Sequence, residues 1–265
     1  MIFSRKKDKS SPLLSADAIK KLVGADVDVR VFGEIDSTNN EAKRLLESGK
    51  FGKAIIAAEK QTSGRGRLGR SFYSPESKGL YFTLILPPMF DFAEVTLLTP
   101  AAAVAVARAI ERTAHVDVAI KWVNDIYLHG KKICGILAEA VTDPKNGALV
   151  GVAVGIGINV STQDFPEEIA DIASSLCLDD VDRNKLAADI ANEFFAFAEN
   201  ISARGFLPDY RLRSFVTGKD VFVIKGEERY KAKVLGIDDD GGLIIEREGG
   251  ENTILRGGEI SIRPV

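Results

Sequence analysis

The sequence predicts an α+β fold, in which a central sheet packs against helices and a small β-barrel follows near the carboxyl end. With 265 residues and 45% hydrophobic content, the chain is long enough to bury a sizeable core. After about residue 217, five short strand patterns alternate with glycine-rich turns, which is typical of a small barrel. Along the main part, strand patterns at 54–59, 79–86 and 151–160 alternate with helical patterns at 96–112 and after Asp182. We therefore divide the chain into a tail with one short helix (1–26), a main domain (27–215) and the barrel (216–265).

The composition argues against two classes of function. The formal net charge is -3 and the isoelectric point about 5.6, so the protein as a whole does not attract nucleic acid. The most apolar helical pattern, 95–107, is interrupted by Thr96, Thr99 and Pro100, and no segment reaches the roughly 18 apolar residues of a membrane helix. Before residue 27 there is a pattern for one short helix, whereas a DNA-reading helix-turn-helix needs at least two packed helices. We expect neither membrane association nor sequence-specific DNA binding.

The cysteine content indicates a reducing compartment. Cys134 and Cys177 are the two cysteines of the chain, and their separation does not match metal-ligand spacing. Cys134 also lies in an apolar strand pattern, where a buried thiol is expected. Free thiols are typical of intracellular proteins, so the sequence predicts a cytoplasmic location.

A glycine- and arginine-rich segment, Gly64–Arg70, is the feature around which the main domain is organised. It contains three glycines, three arginines and no acidic residue. Glycine lets a backbone approach a ligand closely, and the arginine fork grips phosphate or carboxylate through two parallel hydrogen bonds. Because strand patterns flank the segment on both sides, we interpret it as an ordered anion-binding loop between strands. A disordered, RNA-binding tail is the less favoured interpretation.

Two polar clusters interrupt apolar patterns elsewhere in the main domain. Asp36–Asn40 follows a strand pattern and begins a helix, so its residues serve either as helix caps alone or as ligand contacts at the end of a strand. Lys121, Asn124, Asp125 and Lys132 interrupt an apolar hairpin pattern. Lysines there either protect the edge of a sheet or, together with the carboxylate, suit a nucleotide phosphate with its Mg²⁺. The residues alone leave these alternatives open.

The strand pattern at 151–160 has one nearly bare face. A bare face leaves room for a flat ligand or a closely docked backbone. The segment does not satisfy the dinucleotide fingerprint, because Val160 stands where that fingerprint requires its third glycine. With a period of two, the bare face carries Gly151, Ala153, Gly155, Gly157 and Asn159.

Five motifs of this chain, taken together, resemble those of the biotin protein ligases. They occur in the order and at the spacing of that family, and the resemblance covers roughly residues 30–265. Val123 stands where the family usually has proline, and Phe72 where many members have tryptophan; neither difference removes a polar contact. The matching motifs are Ile35–Asn39, Gln61 with Gly64–Arg70, Lys121–Asp125, Lys132–Glu139 and Gly155–Asn159.

The resemblance implies a fold and a reaction. The fold is a mixed, mostly antiparallel sheet with packed helices, class II synthetase-like, plus a small SH3-like barrel. In the reaction, the biotin carboxylate attacks the α-phosphate of MgATP to give biotinyl-5′-adenylate, and a lysine of a biotin carboxyl carrier protein domain then displaces AMP. Because the region before residue 27 lacks a winged helix, the chain resembles the ligase-only members. A homodimer is compatible with the sequence, which does not determine the oligomeric state.

The resemblance also assigns roles to individual residues. Since a carboxylate is already a nucleophile, the first step mainly requires positioning of two anions and neutralisation of charge. The implied catalytic residues are Arg67, Lys121 and Lys132, and Asp125 is the implied Mg²⁺ ligand. The implied biotin-binding residues are Ser37, Thr38, Asn39, Gln61, Gly64, Arg65, Gly66, Arg67 and Lys132. The implied ATP-binding residues are Arg67, Lys121, Asn124, Asp125 and Asn159.

Two other functions fit part of the sequence. A lipoate-type protein ligase has a related fold and parallel chemistry, but the Gly64–Arg70 loop argues against it. An RNA-binding module would combine an arginine loop with a barrel, but it should also have a basic stripe with exposed aromatic residues. The predicted barrel strands instead contain many acidic residues. The sequence therefore favours biotin ligation.

Overall fold

The computed structural model of the protein describes residues 12–49, 52–257 and 260–264. Five α-helices and twelve strands lie within these ranges. In chain order they are α1 (Ala16–Lys20), β1 (Asp28–Ile35), α2 (Thr38–Glu47), β2 (Ala54–Gln61), β3 (Gly79–Leu86), α3 (Phe92–Ala114), β4 (Ala119–Lys121), β5 (Asp125–Leu128), β6 (Lys131–Thr142), β7 (Leu149–Asn159), α4 (Arg183–Glu199), α5 (Leu207–Leu212), β8 (Asp220–Lys225), β9 (Glu228–Ile237), β10 (Leu243–Arg247), β11 (Asn252–Leu255) and β12 (Ile260–Pro264).

The main sheet has seven strands in the order β1-β2-β3-β7-β6-β5-β4. Only the first pair, β1 with β2, is parallel within this sheet; every other neighbouring pair is antiparallel. The five remaining strands form a second, antiparallel sheet in the order β11-β10-β9-β8-β12. The predicted α+β class, with a mixed and mostly antiparallel central sheet and a small β unit near the carboxyl end, is confirmed.

The helix α3 is the centre of the core on one face of the main sheet. It begins at Phe92, four residues before the predicted start, because Asp91 and Glu94 form a capping box. Its alanine-rich middle is fully buried and packs against α4 and the sheet. By length and composition α3 could cross a membrane, but 67% of its most apolar 18-residue stretch is buried inside the protein. This burial is the pattern of a core helix.

The opposite face of the sheet carries α2, which packs on the glycine-rich face of β7. A Cβ atom at Gly155 would lie 2.0 Å from Oδ1 of Asn39, and one at Gly151 would lie 2.5 Å from Cδ2 of Leu46. Glycine is therefore required at both positions for α2 to approach the sheet this closely. The predicted bare face is covered here by side chains of a helix, so its glycines serve packing as well as the site described below.

The second sheet contacts the main domain beside the turn between β4 and β5. The indole Nε1 of Trp122 in that turn donates a hydrogen bond to the carbonyl oxygen of Gly241 (3.0 Å). Arg211 of α5 donates from Nε to the carbonyl oxygen of Ile237 (2.9 Å). The short amino-terminal helix is present as α1, whose first turn is capped by Ser15; residues 1–11 of the predicted tail lie outside the described residues. The predicted limits at 26 and 215 stay predictions.

Candidate active site

Two adjoining pockets lie on the main sheet beside the amino-terminal end of α2. The first, which we call the small pocket, encloses about 450 Å³, and the second, the large pocket, about 1550 Å³; both volumes include space open to solvent. All five residues implied for ATP line the large pocket: Arg67, Lys121, Asn124, Asp125 and Asn159. All but Gly64 of those implied for biotin line the small one: Ser37, Thr38, Asn39, Gln61, Arg65, Gly66, Arg67 and Lys132.

The two pockets share a wall that contains two cations. The residues common to both linings are Gly66, Arg67, Phe72, Asn124 and Lys132. Because both side chains line both pockets, the Arg67 guanidinium and the Lys132 ammonium can contact a group bound in either one. The wall places positive charge where two anionic ligands would come together.

The ammonium of Lys132 lies against Asp125 in this wall. Its Nζ atom is 2.7 Å from Oδ1 of Asp125, and both side chains are partly buried. That Oδ1 atom accepts no hydrogen bond of normal geometry from the described residues, so charge rather than hydrogen-bond alignment holds the pair together. Beneath the ammonium, a Cβ atom at Gly135 would lie 3.1 Å from Nζ. The glycine leaves the space that the lysine end occupies.

Sheet-edge protection does not account for Lys132. It belongs to β6, which lies between β5 and β7. Its backbone N–H donates to the carbonyl oxygen of Ile172 (2.9 Å), and its carbonyl accepts from the N–H of Ser174 (2.8 Å). Lys121, in contrast, lies on the edge strand β4, where its Nζ donates to the hydroxyl of Tyr127 (3.3 Å). The edge interpretation is therefore wrong for Lys132 and stays open for Lys121.

Arg67 is the second cation of the wall and is partly buried. Its Nη1 donates to Oδ1 of Asn124 (3.1 Å), and Asn124 in turn donates to the carbonyl oxygen of Ile136 (2.8 Å). Burial lowers the pKa of the Arg67 guanidinium from its ordinary value, although the charge of Asp125 acts in the opposite direction. Arginine nevertheless remains a cation in proteins. A desolvated cation of this kind is strongly stabilised by an anionic ligand.

Gln61, the last residue of β2, caps the amino-terminal end of α2 at the polar end of the small pocket. Its Oε1 accepts from the backbone N–H (2.9 Å) and the hydroxyl (3.1 Å) of Thr38, and its Nε2 donates to Oγ of Ser74 (3.0 Å). Ser37 occupies the N-cap position, yet its side chain makes no capping hydrogen bond. The capping-only interpretation of this cluster is therefore wrong for Ser37. Its hydroxyl is left for the pocket that it lines.

The glycine- and arginine-rich segment forms an ordered loop between β2 and β3, as predicted. The N–H of Phe72 donates to the carbonyl oxygen of Gly64 (2.9 Å), and the N–H of Gly66 donates to that of Arg70 (2.7 Å). A Cβ atom at Gly64 would lie 2.5 Å from the carbonyl oxygen of Phe72. Gly64 therefore permits the tight return of the loop and does not line either pocket. Its implied contact with biotin stays a prediction.

The large pocket contains an unused acceptor and one carboxylate. Asn159 donates from Nδ2 to the carbonyl oxygen of Ser174 (2.9 Å), whereas its buried Oδ1 has no hydrogen-bond partner among the described residues. Buried acceptors are seldom left unpaired, so this atom is available to a donor group of a ligand. The described residues contain no cluster of three or more His, Cys, Asp or Glu side chains suited to a metal. Asp125 is the carboxylate that lines the pocket.

Sequence reasoning gave no ligand role to Phe72, which lines both pockets. A Cβ atom at Gly157 would lie 2.6 Å from its ring, and the ring contacts Tyr81 edge-on at 6.3 Å between centroids. The sequence predicted a flat ligand or a closely docked backbone on the bare face of β7, but at Gly157 the side chain of Phe72 lies there instead. No motif marked the apolar side of the large pocket, which is formed by Tyr73, Phe165, Ile169, Ile172 and Ala173.

Two adjoining pockets that share a cationic wall suit the joining of two anionic ligands, and comparison with known proteins identifies the class as a ligase. The sequence model of the Biotin/lipoate A/B protein ligase family matches residues 31–159, and that of the Biotin protein ligase C terminal domain matches residues 216–263.

Individual relatives agree with these matches. The Bifunctional ligase/repressor BirA of Bacillus spizizenii is 35% identical over 225 residues, which are 82% of this chain and 68% of that protein. The Biotin--[acetyl-CoA-carboxylase] ligase of Paracoccus denitrificans is 30% identical over 83% of this chain and 94% of that one. The structure of the biotin protein ligase from Aquifex aeolicus in complex with biotin and ATP superimposes with a TM-score of 0.76 at 30% identity, covering 89% of this chain and 99% of the other. The chain belongs to the biotin protein ligase family.

Proposed function

We propose that the chain uses ATP to attach biotin to a lysine of a biotin carboxyl carrier protein domain, through biotinyl-5′-adenylate. The observation that carries the proposal is the wall that the two pockets share, with Lys132 and Arg67 in it. Biotin in the small pocket and ATP in the large pocket would present their reacting groups to each other at this wall. The Aquifex aeolicus structure in complex with biotin and ATP supports this assignment of ligands.

In the first step, the side chains of the small pocket hold the polar ring of biotin, and Lys132 binds its carboxylate. The ammonium then leaves Asp125 and pairs with the ligand. This exchange is permitted because the contact with Asp125 is an ion pair that lacks hydrogen-bond geometry. A carboxylate oxygen attacks the α-phosphorus, a new P–O bond forms, and the bond to pyrophosphate breaks. Arg67 and Lys121 neutralise the charge that develops on the phosphates.

We propose Mg²⁺ as the metal that accompanies ATP, with Asp125 as its protein ligand. Magnesium in nucleotide sites is held by one or two carboxylates together with substrate phosphates, not by an all-protein cage. A single carboxylate in the large pocket, without a larger cluster among the described residues, fits that requirement. When bound, the metal would neutralise phosphate charge. Loss of the contact with Lys132 would make the Asp125 carboxylate available to it.

In the second step, the ε-amine of the carrier lysine attacks the acyl carbonyl, the bond to the phosphate oxygen breaks, and AMP leaves. The amine loses one proton as the amide forms. The ammonium of Lys132, which lines both pockets, would polarise the carbonyl oxygen. The loop that carries Arg65 and Arg67 borders both pockets and would limit the access of water to the mixed anhydride.

Three further expectations form part of the proposal. The described cysteines, Cys134 and Cys177, are both free, which supports a cytoplasmic location. The segment between residue 12 and β1 contains one helix, of five residues, so we expect no sequence-specific DNA binding by this chain. A homodimer remains compatible with the structure, and sedimentation of the purified chain would decide the oligomeric state.

The proposal is tested by transfer of biotin to a carrier domain. Purified chain, biotin, MgATP and a biotin carboxyl carrier domain are mixed, and the carrier is analysed by mass spectrometry and streptavidin binding. We expect one biotin on a single lysine, dependent on ATP, and none on a carrier in which that lysine is replaced by arginine. A folded chain that leaves the carrier unmodified, or that attaches lipoate instead, would overturn the proposal.

A further inference from the structure

We propose that Glu139 is a positioning residue for biotin recognition, which fixes the start of α2 on the sheet and holds Arg65 over the small pocket. The inference rests on the proposed function. Glu139 ends the Lys132–Glu139 motif, and it lines neither pocket, so no direct contact with a ligand is attributed to it. Its role follows from the side chains that it joins.

The first partner of Glu139 is Asn39, in the first turn of α2. Asn39 donates from Nδ2 to Oε2 of Glu139 (2.9 Å) and to the carbonyl oxygen of Leu137 (3.3 Å). Its Oδ1 lies 2.6 Å from Oγ1 of Thr83, which is fully buried, and against Gly155. A reversed amide would bring an oxygen within hydrogen-bond distance of the Glu139 carboxylate, where two acceptors repel. The carboxylate therefore fixes one orientation of the Asn39 amide.

Because Asn39 is fixed, the residues immediately before it are fixed as well. The hydroxyl oxygen of Thr38 lies 2.9 Å from Oγ1 of Thr83, and the backbone N–H of Thr38 donates to Oε1 of Gln61 (2.9 Å). Ser37 and Thr38 both line the small pocket. A shift of the Asn39 amide would move this first turn relative to the sheet. Positions of hydrogen-bonding groups in a binding site must be maintained to a fraction of an ångström.

The second partner of Glu139 is Arg65 of the glycine- and arginine-rich loop. Arg65 Nη2 lies 3.3 Å from Oε1 of Glu139, and its Nη1 donates to Oδ1 of Asn40 (3.0 Å). One carboxylate thus connects the loop and α2 through strand β6. Lys43 is a third donor, at 2.6 Å from the same Oε1 atom, but it lines neither pocket.

The carboxylate of Glu139 is well suited to remain charged in this place. Burial by itself would raise the pKa of Glu139, but hydrogen bonds from Lys43 and Asn39 and the charges of Lys43 and Arg65 outweigh burial, so that the pKa is lowered. A neutral amide would retain one acceptor oxygen and would lose the attraction for both cations. Hydrogen bonds to charged groups are roughly twice as strong as neutral ones. Glu139→Gln therefore weakens the contacts with Asn39 and Arg65 while keeping a side chain of nearly the same volume.

The test compares Glu139→Gln with Lys43→Met as a matched control. Both substitutions remove the same ion pair, but only the first disturbs Asn39 and Arg65. In the full-length chain, biotin affinity is measured by calorimetry, KM and kcat by pyrophosphate exchange, and folding by urea denaturation. We expect Glu139→Gln to raise Kd and KM for biotin about ten-fold, no more than the strength of one charge-assisted hydrogen bond, because Arg65 and the first turn of α2 are held less firmly at the pocket. We expect kcat at saturating biotin to stay within two-fold of wild type. Lys43→Met should keep Kd within two-fold.

Several results would overturn the inference. A folded Glu139→Gln protein with unchanged biotin affinity would overturn it. An equal loss of biotin affinity in Lys43→Met would also overturn it, because that result would show that only the Lys43–Glu139 ion pair matters. If Glu139→Gln does not fold, Glu139→Asp replaces it; it keeps the charge but is one methylene shorter, and we again expect a higher Kd for biotin. A wild-type chain that does not bind biotin would instead overturn the proposed function, and this inference with it.

Discussion

Replacement of Lys132 by alanine is the substitution for which the structure makes the most definite prediction. Lys132 Nζ contacts Asp125 at 2.7 Å, with 32% and 20% of the two side chains exposed. A pair with this partial exposure lies between solvent-exposed bridges, worth about 0–1 kcal/mol, and fully buried ones. We therefore expect Lys132→Ala to lower the free energy of unfolding by only about 1 kcal/mol.

The expected effect of Lys132→Ala on catalysis is much larger than its effect on stability. The substitution would remove the charge-assisted bond that we propose between Lys132 and the biotin carboxylate, worth about 1.5–3 kcal/mol, and it would also leave the carboxylate unaligned with the α-phosphate. A total of roughly 3 kcal/mol corresponds to a fall of about 100-fold in kcat/KM for biotin. Lys132→Arg should not restore full activity, because a wide planar guanidinium does not replace a compact ammonium that lies close to Gly135.

Lys131→Ala is the matched control for this prediction. Lys131 is the preceding residue of β6, is exposed, lines neither pocket and donates to the carbonyl oxygen of Ala170 (3.2 Å). Steady-state pyrophosphate exchange with varied biotin gives kcat/KM for each variant, and urea denaturation confirms folding. Wild-type kcat/KM in a folded Lys132→Ala protein, or an equal loss in Lys131→Ala, would refute the role of Lys132.

Three further predictions concern the loop, the sheet and pH. Arg67→Ala should increase the dissociation rate of biotinyl-5′-adenylate about ten-fold or more, because a partly buried cation in the shared wall is lost. Gel filtration of the enzyme with labelled intermediate measures how much of it stays bound, and unchanged retention would contradict the prediction. Gly157→Ala places a methyl group 2.6 Å from the Phe72 ring and should destabilise the fold by about 1–3 kcal/mol and weaken biotin binding. Gly33→Ala, where nothing lies within 4 Å, is its control in both assays, and equal behaviour of the two variants would count against the packing argument. The pKa of Glu139 is below its ordinary value of 4.5, so the unfolded state binds a proton first as pH falls. The stabilisation that the Glu139 carboxylate gives to the folded state is therefore complete above about pH 4.5 and is lost at lower pH. The free energies of unfolding of wild type and Glu139→Gln should differ least at low pH, and a difference that grows as pH falls would contradict this prediction.

Local patterns predicted those parts of the fold that depend on neighbouring residues. Alternation and glycine placement identified β2, β3 and β7. The helix predicted after Asp182 is α4, and the Asp182 carboxylate caps it by accepting from two backbone N–H groups. The start of α3 was misplaced because the apolar pattern begins later than the Asp91 capping box. Hydrophobic periodicity marks the buried part of a helix, and it does not reveal an exposed first turn.

Contacts between distant segments could not be predicted in the same way. The sequence placed Ser37 at a helix start but could not show that Gln61, 23 residues beyond Thr38, supplies the cap. Nor could it distinguish Lys132 on an interior strand from Lys121 on an edge strand, since that difference depends on strand order. The role of Glu139 likewise depends on Asn39, 100 residues away in sequence. Motifs selected the candidate residues, and the topology determined what each one contacts.

Biotin-dependent exchange between ATP and labelled pyrophosphate tests the central claim most directly. The exchange requires only the first step, so it depends on the two pockets and their shared wall and needs no carrier. The structure predicts exchange with biotin and MgATP, abolished when biotin is omitted, and none when lipoate replaces biotin. A folded chain that shows no exchange with biotin, or equal exchange with lipoate, would contradict the assignment of the small pocket to biotin and of the large pocket to ATP.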